Sequence, residues 1–225
     1  MAMHVLELND IALLLGDGGA EPCRAPGYAT LARDAVVTGE AARAQARLNP
    51  RQTLNQFWLR LGTEPLHNAR AHARHHADLA WSQLQQLASA AGNPAELILA
   101  VPGSFSREQL AVLLGIAGRC TFRATGLVDS ALAAASGAAF AGDALHVELQ
   151  LHQCVLTRLA RDGAALVREQ VHALPGTGLV QLQERWAQRA NGCFIQQSRF
   201  DPMHAAATEQ QLYDRLPHWL AALEQ

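Results

Sequence analysis

Leu97 to Gly137 reads LILAVPGSFSREQLAVLLGIAGRCTFRATGLVDSALAAASG, and the fold turns on how this stretch is parsed. Leu97 to Val101 is an apolar run of strand length, broken by Pro102-Gly103. From about Ser106 to Gly118 the period becomes helical: Leu110, Leu113, Leu114 and Ala117 share one stripe, while Arg107, Glu108 and Arg119 stay in water. Ser106 with Gln109 has the form of a capping box, and Gly118 is placed to end the helix. A second short strand follows, then a helix of small residues from Ser130. The unit is therefore strand, helix, strand, helix.

Working outward, 225 residues with 49% apolar and 17% charged side chains describe a folded chain able to bury a core in one large or two small domains. The net charge of −2 and the lack of any basic run exclude nucleic acid as an expected partner. All 18 basic residues are arginine, which excludes a Walker-type phosphate loop, Schiff-base chemistry and lysine-assisted phosphoryl transfer. Cys23, Cys120, Cys154 and Cys193 form no C-x-x-C pair and read as reduced core thiols. Met1 to Gly16 lacks a basic start and is interrupted by Glu7 and Asp10, so it does not read as a signal peptide. No apolar run approaches a membrane span. A cytoplasmic protein without membrane contact is expected.

The stretch from Val101-Pro102 through Val128-Asp129-Ser130-Ala131 to Ala133-Ala134-Ala135 resembles the central segment of DnaK-type heat-shock chaperones, in the actin-like ATPase superfamily. There, a strand ending in Val-Pro leads to an Ala-Gly helix, a strand and a Glu-Pro-Thr-Ala-Ala-Ala helix. Upstream, Val37-Thr38-Gly39-Glu40-Ala41-Ala42, Asn49-Pro50-Arg51-Gln52-Thr53 and Leu59-Arg60-Leu61-Gly62 are similar to the family's Val-Gly-(Asp/Glu)-Ala-Ala, Asn-Pro-x-x-Thr and Arg-Leu-(Ile/Leu)-Gly segments. The competing reading is a generic βαβ core. The resemblance implies an α/β protein of the actin-like (ribonuclease H-like) fold, with mixed sheets flanked by helices. One lobe would span residues 1 to 141, and an incomplete second lobe residues 142 to 225.

At three places the chain departs from that family. Its first phosphate hairpin carries Asp-Leu-Gly-Thr-Thr, where this chain has Glu7-Leu8-Asn9-Asp10, read as the tight turn of a hairpin. An acidic turn without glycine neither admits nor attracts a phosphate. The family's phosphate-contacting lysine falls at Thr63-Glu64-Pro65. Its second hairpin, Asp-Leu-Gly-Gly-Gly-Thr, corresponds to Val147-Glu148-Leu149-Gln150-Leu151-His152, with the bulky Leu149, Gln150 and Leu151 where phosphate needs bare backbone. Only Gly176-Thr177-Gly178 keeps something of the downstream pattern, and it reads equally as an ordinary loop.

Other candidates are few. Glu7, Asp129 and Glu148 would approach one cleft under the resemblance, as relics of a magnesium and water site, or are three unrelated strand-end carboxylates. Asn9, Asp10, Gly176, Thr177 and Gly178 are the matching relics of cofactor binding. Pro65 to Asn93 reads as one long helix, on which His72 and His76 fall one turn apart; that spacing can chelate a metal, but a solvated face is the simpler reading. His146 to Leu159 and Ala165 to Leu174 read as a hairpin about Arg161-Asp162-Gly163. A helix then runs from Leu179 through Trp186, and helical segments cover Ala205 to Leu216 and Pro217 to Leu223. Alternation is expected to set Leu149 and Leu151 on one face lining the cleft.

The expected function is a chaperone-like pseudo-ATPase with no cofactor, acting as a binding or scaffold module for protein partners. The alternatives are a divergent but working ATPase using ATP and magnesium, and an actin-like scaffold of pilus or division machinery.

Overall fold

A computed structural model of the chain describes residues 3–140, 142–163 and 165–222. In chain order the elements are β1 (His4–Glu7), β2 (Leu13–Gly16), β3 (Cys23–Ala25), β4 (Ala29–Leu31), β5 (Val36–Thr38), α1 (Glu40–Arg43) and β6 (Thr53–Leu54). Then come β7 (Pro65–Arg70), β8 (Ala73–His75), α2 (His76–Ala90), β9 (Glu96–Val101), α3 (Arg107–Ala117), β10 (Arg123–Asp129) and α4 (Ser130–Ser136). The remainder is β11 (Ala144–Leu149), β12 (Gln153–Asp162), β13 (Ala165–Pro175), α5 (Leu179–Ser198) and α6 (Ala206–Ala222). The protein is a mixed α/β structure, as its alternating strand and helix periods require.

A five-stranded sheet of order β10-β9-β1-β2-β3 forms the centre. β9 runs parallel to both β10 and β1, whereas β1, β2 and β3 form an antiparallel meander. Being enclosed explains why Leu97 to Val101 is almost unbroken in its apolar character. Leu6, Leu13, Leu15, Leu97, Leu99 and Val101 meet Leu79, Leu84 and Leu87 of α2 and Leu113 and Ala117 of α3 in one core. Buried Gln83 ties α2 to the segment beneath it, accepting from Trp58 Nε1 at 2.7 Å and donating to Pro26 O at 2.7 Å.

Helix α3 begins and ends as its capping residues require: Ser106 N donates to Gln109 Oε1 (2.9 Å), Gln109 N donates to Ser106 Oγ (3.2 Å), and Gly118 is the C-cap. Its stripe is narrower than the spacing suggested. Leu113 and Ala117 are buried and Leu110 is partly so, but Leu114 is 50% exposed, because a helix lying on one flat sheet buries only an arc about the contact line.

Pro65 to Asn93 is not one helix. Pro65–Arg70 and Ala73–His75 pair as a short antiparallel hairpin, and α2 starts only at His76. The Asp78 carboxylate fixes that start by accepting from the amides of Arg74 (2.7 Å) and His75 (3.0 Å). Few helix breakers made the run look continuous, while the buried side chains of Leu66 and Ala73 hold it extended against the core.

Beyond α4, the β11-β12-β13 meander packs Leu159 and Leu166 against Ala131, Ala135 and Leu132 of α4. The segment expected as one strand from His146 to Leu159 is two, parted by a turn at Gln150–His152, while the turn at Arg161 to Gly163 stands as read. The alternation of β11 is inverted: Leu145 (61% exposed) and Val147 (58%) face water, whereas Glu148 is buried. α5 runs on to Ser198, well past Trp186, and Pro217 lies inside a single α6 rather than between two helices. α6 returns to the first half of the chain, where the Arg47 guanidinium stacks 3.8 Å above the Tyr213 ring and pairs with Glu209 at 3.3 Å. Of the four cysteines, all free, Cys193 is exposed rather than a core thiol.

Candidate functional site

The loop between β1 and β2 and the turn between β11 and β12 face one another. Asn9 uses both ends of its amide: Oδ1 accepts from Ile11 N (3.0 Å) and shapes the loop, and Nδ2 donates to Leu149 O (3.0 Å). Asp10 reaches further into the seam, where its carboxylate accepts from Leu151 N at 2.7 Å. Its own carbonyl accepts from Gly27 N at 2.7 Å. Burial pushes the Asp10 carboxyl up to about 6, although the Leu151 amide bond works in the opposite direction. The loop is longer than the tight two-residue turn expected at Asn9-Asp10, since β1 ends at Glu7 and β2 begins at Leu13.

The second turn is held from behind by α5. A helix N-terminus offers unpaired N–H groups, which in phosphate-binding folds face the ligand. Here Leu179 N donates to Gln150 O (2.9 Å), Val180 N to Leu151 O (3.0 Å) and Gly176 N to His152 O (2.9 Å). Gly178 makes this possible, because a methyl group on its Cα would overlap Leu151 O and His152 N. Thr177 turns back on its own loop, donating to Leu174 O at 2.7 Å. Gly176, at φ 72°, supplies the left-handed turn residue before the helix.

Leu151 itself is buried with Tyr28 and Ala42, and Ile11, Leu179 and Val180 pack around them. Leu149 is only partly buried. The alternation that would have put both leucines on one face stops at Leu149, where β11 ends; Leu151 belongs to the turn. His152 is also buried, its Nε2 3.0 Å from Asn55 Oδ1, and burial lowers its pKa.

A chain of polar side chains lines the seam. Gln153 Nε2 donates to Gln150 Oε1 (2.7 Å), Gln150 Nε2 to Glu148 Oε1 (2.7 Å), and Ser130 Oγ to Glu148 Oε2 (2.9 Å). Glu7 lies close enough to feel it: burial raises the Glu7 pKa, the charge of Glu148 raises it further, and His146 opposes both. Glu7 and Glu148 are thus brought together. Asp129 is committed elsewhere, accepting from Ala131 N (2.9 Å) and Leu132 N (3.2 Å) as the cap of α4 and pairing with Arg168 of β13.

Asp10, Gln150 and Gln153 border a partly open cavity of about 120 Å³ together with Leu8, Trp58 and Phe105. That is room for roughly four water molecules at about 30 Å³ each. A cavity of about 260 Å³ between Tyr28, Arg43, Arg47, His152 and Tyr213 is also smaller than the usual 300–1,000 Å³ of ligand pockets, whereas one of about 400 Å³ along Ile11, Tyr28, Leu151 and Leu179 falls within that range. No family model matches the chain, and no curated protein matches it either.

His72 and His76 do not share a helix face, since His72 lies in the β7–β8 turn and His76 opens α2. His76 borders a broad groove with Arg60, Glu64 and His67, and burial followed by the Arg60 charge lowers its pKa. No group of three or more His, Cys, Asp or Glu side chains able to hold a metal is found among the described residues. No helix among them is long and apolar enough to cross a membrane.

Sequence reading missed the α5 terminus as the clamp on the second turn, and it missed Arg168 as the partner of Asp129. Gly176-Thr177-Gly178 before a helical run was the available signal for the first; the second joins residues 39 apart and left no local trace.

Proposed function

We propose that the chain is a pseudo-ATPase of the actin-like (ribonuclease H-like) fold, similar to the DnaK-type chaperones, that works as a binding or scaffold module for protein partners. The sheet order supports the fold: an antiparallel β1-β2-β3 meander extended by β9 and β10 parallel to β1 is the arrangement that this fold implies. A second meander, β11-β12-β13, then begins another half at about residue 142, in line with a first lobe over residues 1 to 141.

One observation carries the loss of nucleotide binding. The two hairpins that would embrace a triphosphate hydrogen-bond directly to each other, Asn9 to Leu149 and Asp10 to Leu151, and the α5 amides bond to the same turn. ATP could enter only by breaking these bonds and placing its phosphates beside the buried Asp10 carboxylate.

Calorimetric titration with ATP and magnesium is therefore expected to give no saturable heat in the micromolar range, and no rise in unfolding temperature at a hundredfold higher concentration. Saturable binding there, with turnover, would make the chain a divergent working ATPase.

A further inference from the structure

Helix α5 fully buries only Ala187 along its 20 residues, and its far end carries an aromatic cluster. Phe194 lies edge-on to Phe200, with centroids 6.4 Å apart, and 6.2 Å from the Trp219 ring of α6. Two of the chain's six phenylalanines and one of its four tryptophans thus meet outside the main core, and Phe200 is 49% exposed. Together with Pro202 and Leu212 these rings wall a groove of about 210 Å³.

The rest of the lining is Thr208, Gln211 and Arg215. Thr208 spends its hydroxyl proton on Ala205 O, and Arg215 makes no ion pair or hydrogen bond among the described residues. The groove therefore has one ionised group, a guanidinium with unused donors, beside three aromatic rings. Nearby acids are occupied: Asp214 accepts from Gln210 Nε2 (2.9 Å), and Asp201 from Met203 N (2.9 Å).

We propose that this groove docks a partner polypeptide by taking one phenylalanine- or leucine-sized side chain whose neighbouring residue carries a carboxylate. Its volume suits a single large apolar side chain, and a ring placed among Phe194, Phe200 and Trp219 finds edge-to-face partners at the usual 4.5–7 Å. The carboxylate pairs with Arg215, whose planar fork matches it in shape and charge. Aromatic anchors beside an arginine are the side chains on which protein interfaces concentrate their binding energy. A membrane surface is the poorer occupant, since a lone arginine supplies little of the attraction that anionic lipid requires. The inference goes beyond the closed cleft and would stand even if nucleotide bound there.

The test uses two capped dipeptides, acetyl-Phe-Asp-amide and acetyl-Phe-Asn-amide, titrated into the full chain while backbone amide NMR signals are followed. Expected are saturable shifts confined to α5, α6 and their connecting loop, with the Asp peptide binding about two- to fivefold more tightly than its neutral isostere. Arg215→Gln should erase that difference, and Phe200→Ala should weaken both peptides; both side chains are exposed, so an unchanged unfolding temperature verifies the fold of each variant. Equal affinity of the two peptides for the unaltered protein, shifts centred elsewhere, or no saturation would overturn the proposal. So would a concentration-dependent dimer that Phe200→Ala dissolves, since the groove would then be filled by a second copy of the chain.

Discussion

Burying the Asp10 carboxylate in the seam makes folding sensitive to pH at a single residue. Its pKa rises from 3.8 in the unfolded chain to about 6 in the folded one. Below about pH 4 the group is protonated in both states; between 4 and 6 only the folded state keeps the proton. Its contribution is therefore fully present at low pH and is lost as pH rises through 6, on the order of 1–3 kcal/mol. Asp10→Asn keeps an oxygen for the Leu151 amide and removes the charge. Urea unfolding should show the variant gaining on the unaltered protein from pH 4 to pH 7, and a constant difference would refute the assignment. Gly178 makes a sharper demand of its own. Gly178→Ala should cost about 1–3 kcal/mol by forcing apart α5 and the Leu151–His152 turn. Gly176→Ala meets no neighbour and should cost only its left-handed strain, about 1 kcal/mol.

Among the elements, α3 separates periodicity from burial. Leu113→Ala should cost about 2–5 kcal/mol, whereas Leu114→Gln, at the edge of the contact arc, should change stability by about 0.5 kcal/mol or less in thermal unfolding. A large loss from Leu114→Gln would mean that the helix is rolled toward the sheet. The start and stop of α3 were readable because its caps are local, made by Ser106, Gln109 and Gly118. The start of α2 was not, because Asp78 caps it from within Leu66 to Ala91, a stretch without Gly or Pro, and only tertiary contact holds Leu66 and Ala73 extended. β11 misleads in another way: Leu145 and Val147 point to water and Glu148 inward, so the rule that alternation reveals the buried face gives the wrong side there.

At the level of the molecule, some strands were legible but their partners were not. β9 is evidently a buried strand from Leu97 to Val101, yet nothing local tells that it lies parallel to His4–Glu7. The seam was half visible: the bulky run Leu149, Gln150 and Leu151 was expected, through the chaperone resemblance alone, to line a filled cleft, but the choice of Leu151 over Leu149 as the buried side chain depended on where β11 ends. Leu151→Ala should cost about 2–5 kcal/mol and speed amide hydrogen exchange both near Tyr28 and Ala42 and at the start of α5, while the α3–β9 core stays protected. Faster exchange throughout would mean that the seam is not a separable layer. The same bond bears on biosynthesis. Asp10 and Leu151 are 141 residues apart, so at 5–20 residues per second Asp10 is added to the chain roughly 7–28 s before its partner. Until then the first hairpin carries a hydrated, ionised acid on a surface that the finished fold buries. Covering that acid is a task that falls to the stretch beginning at Leu151.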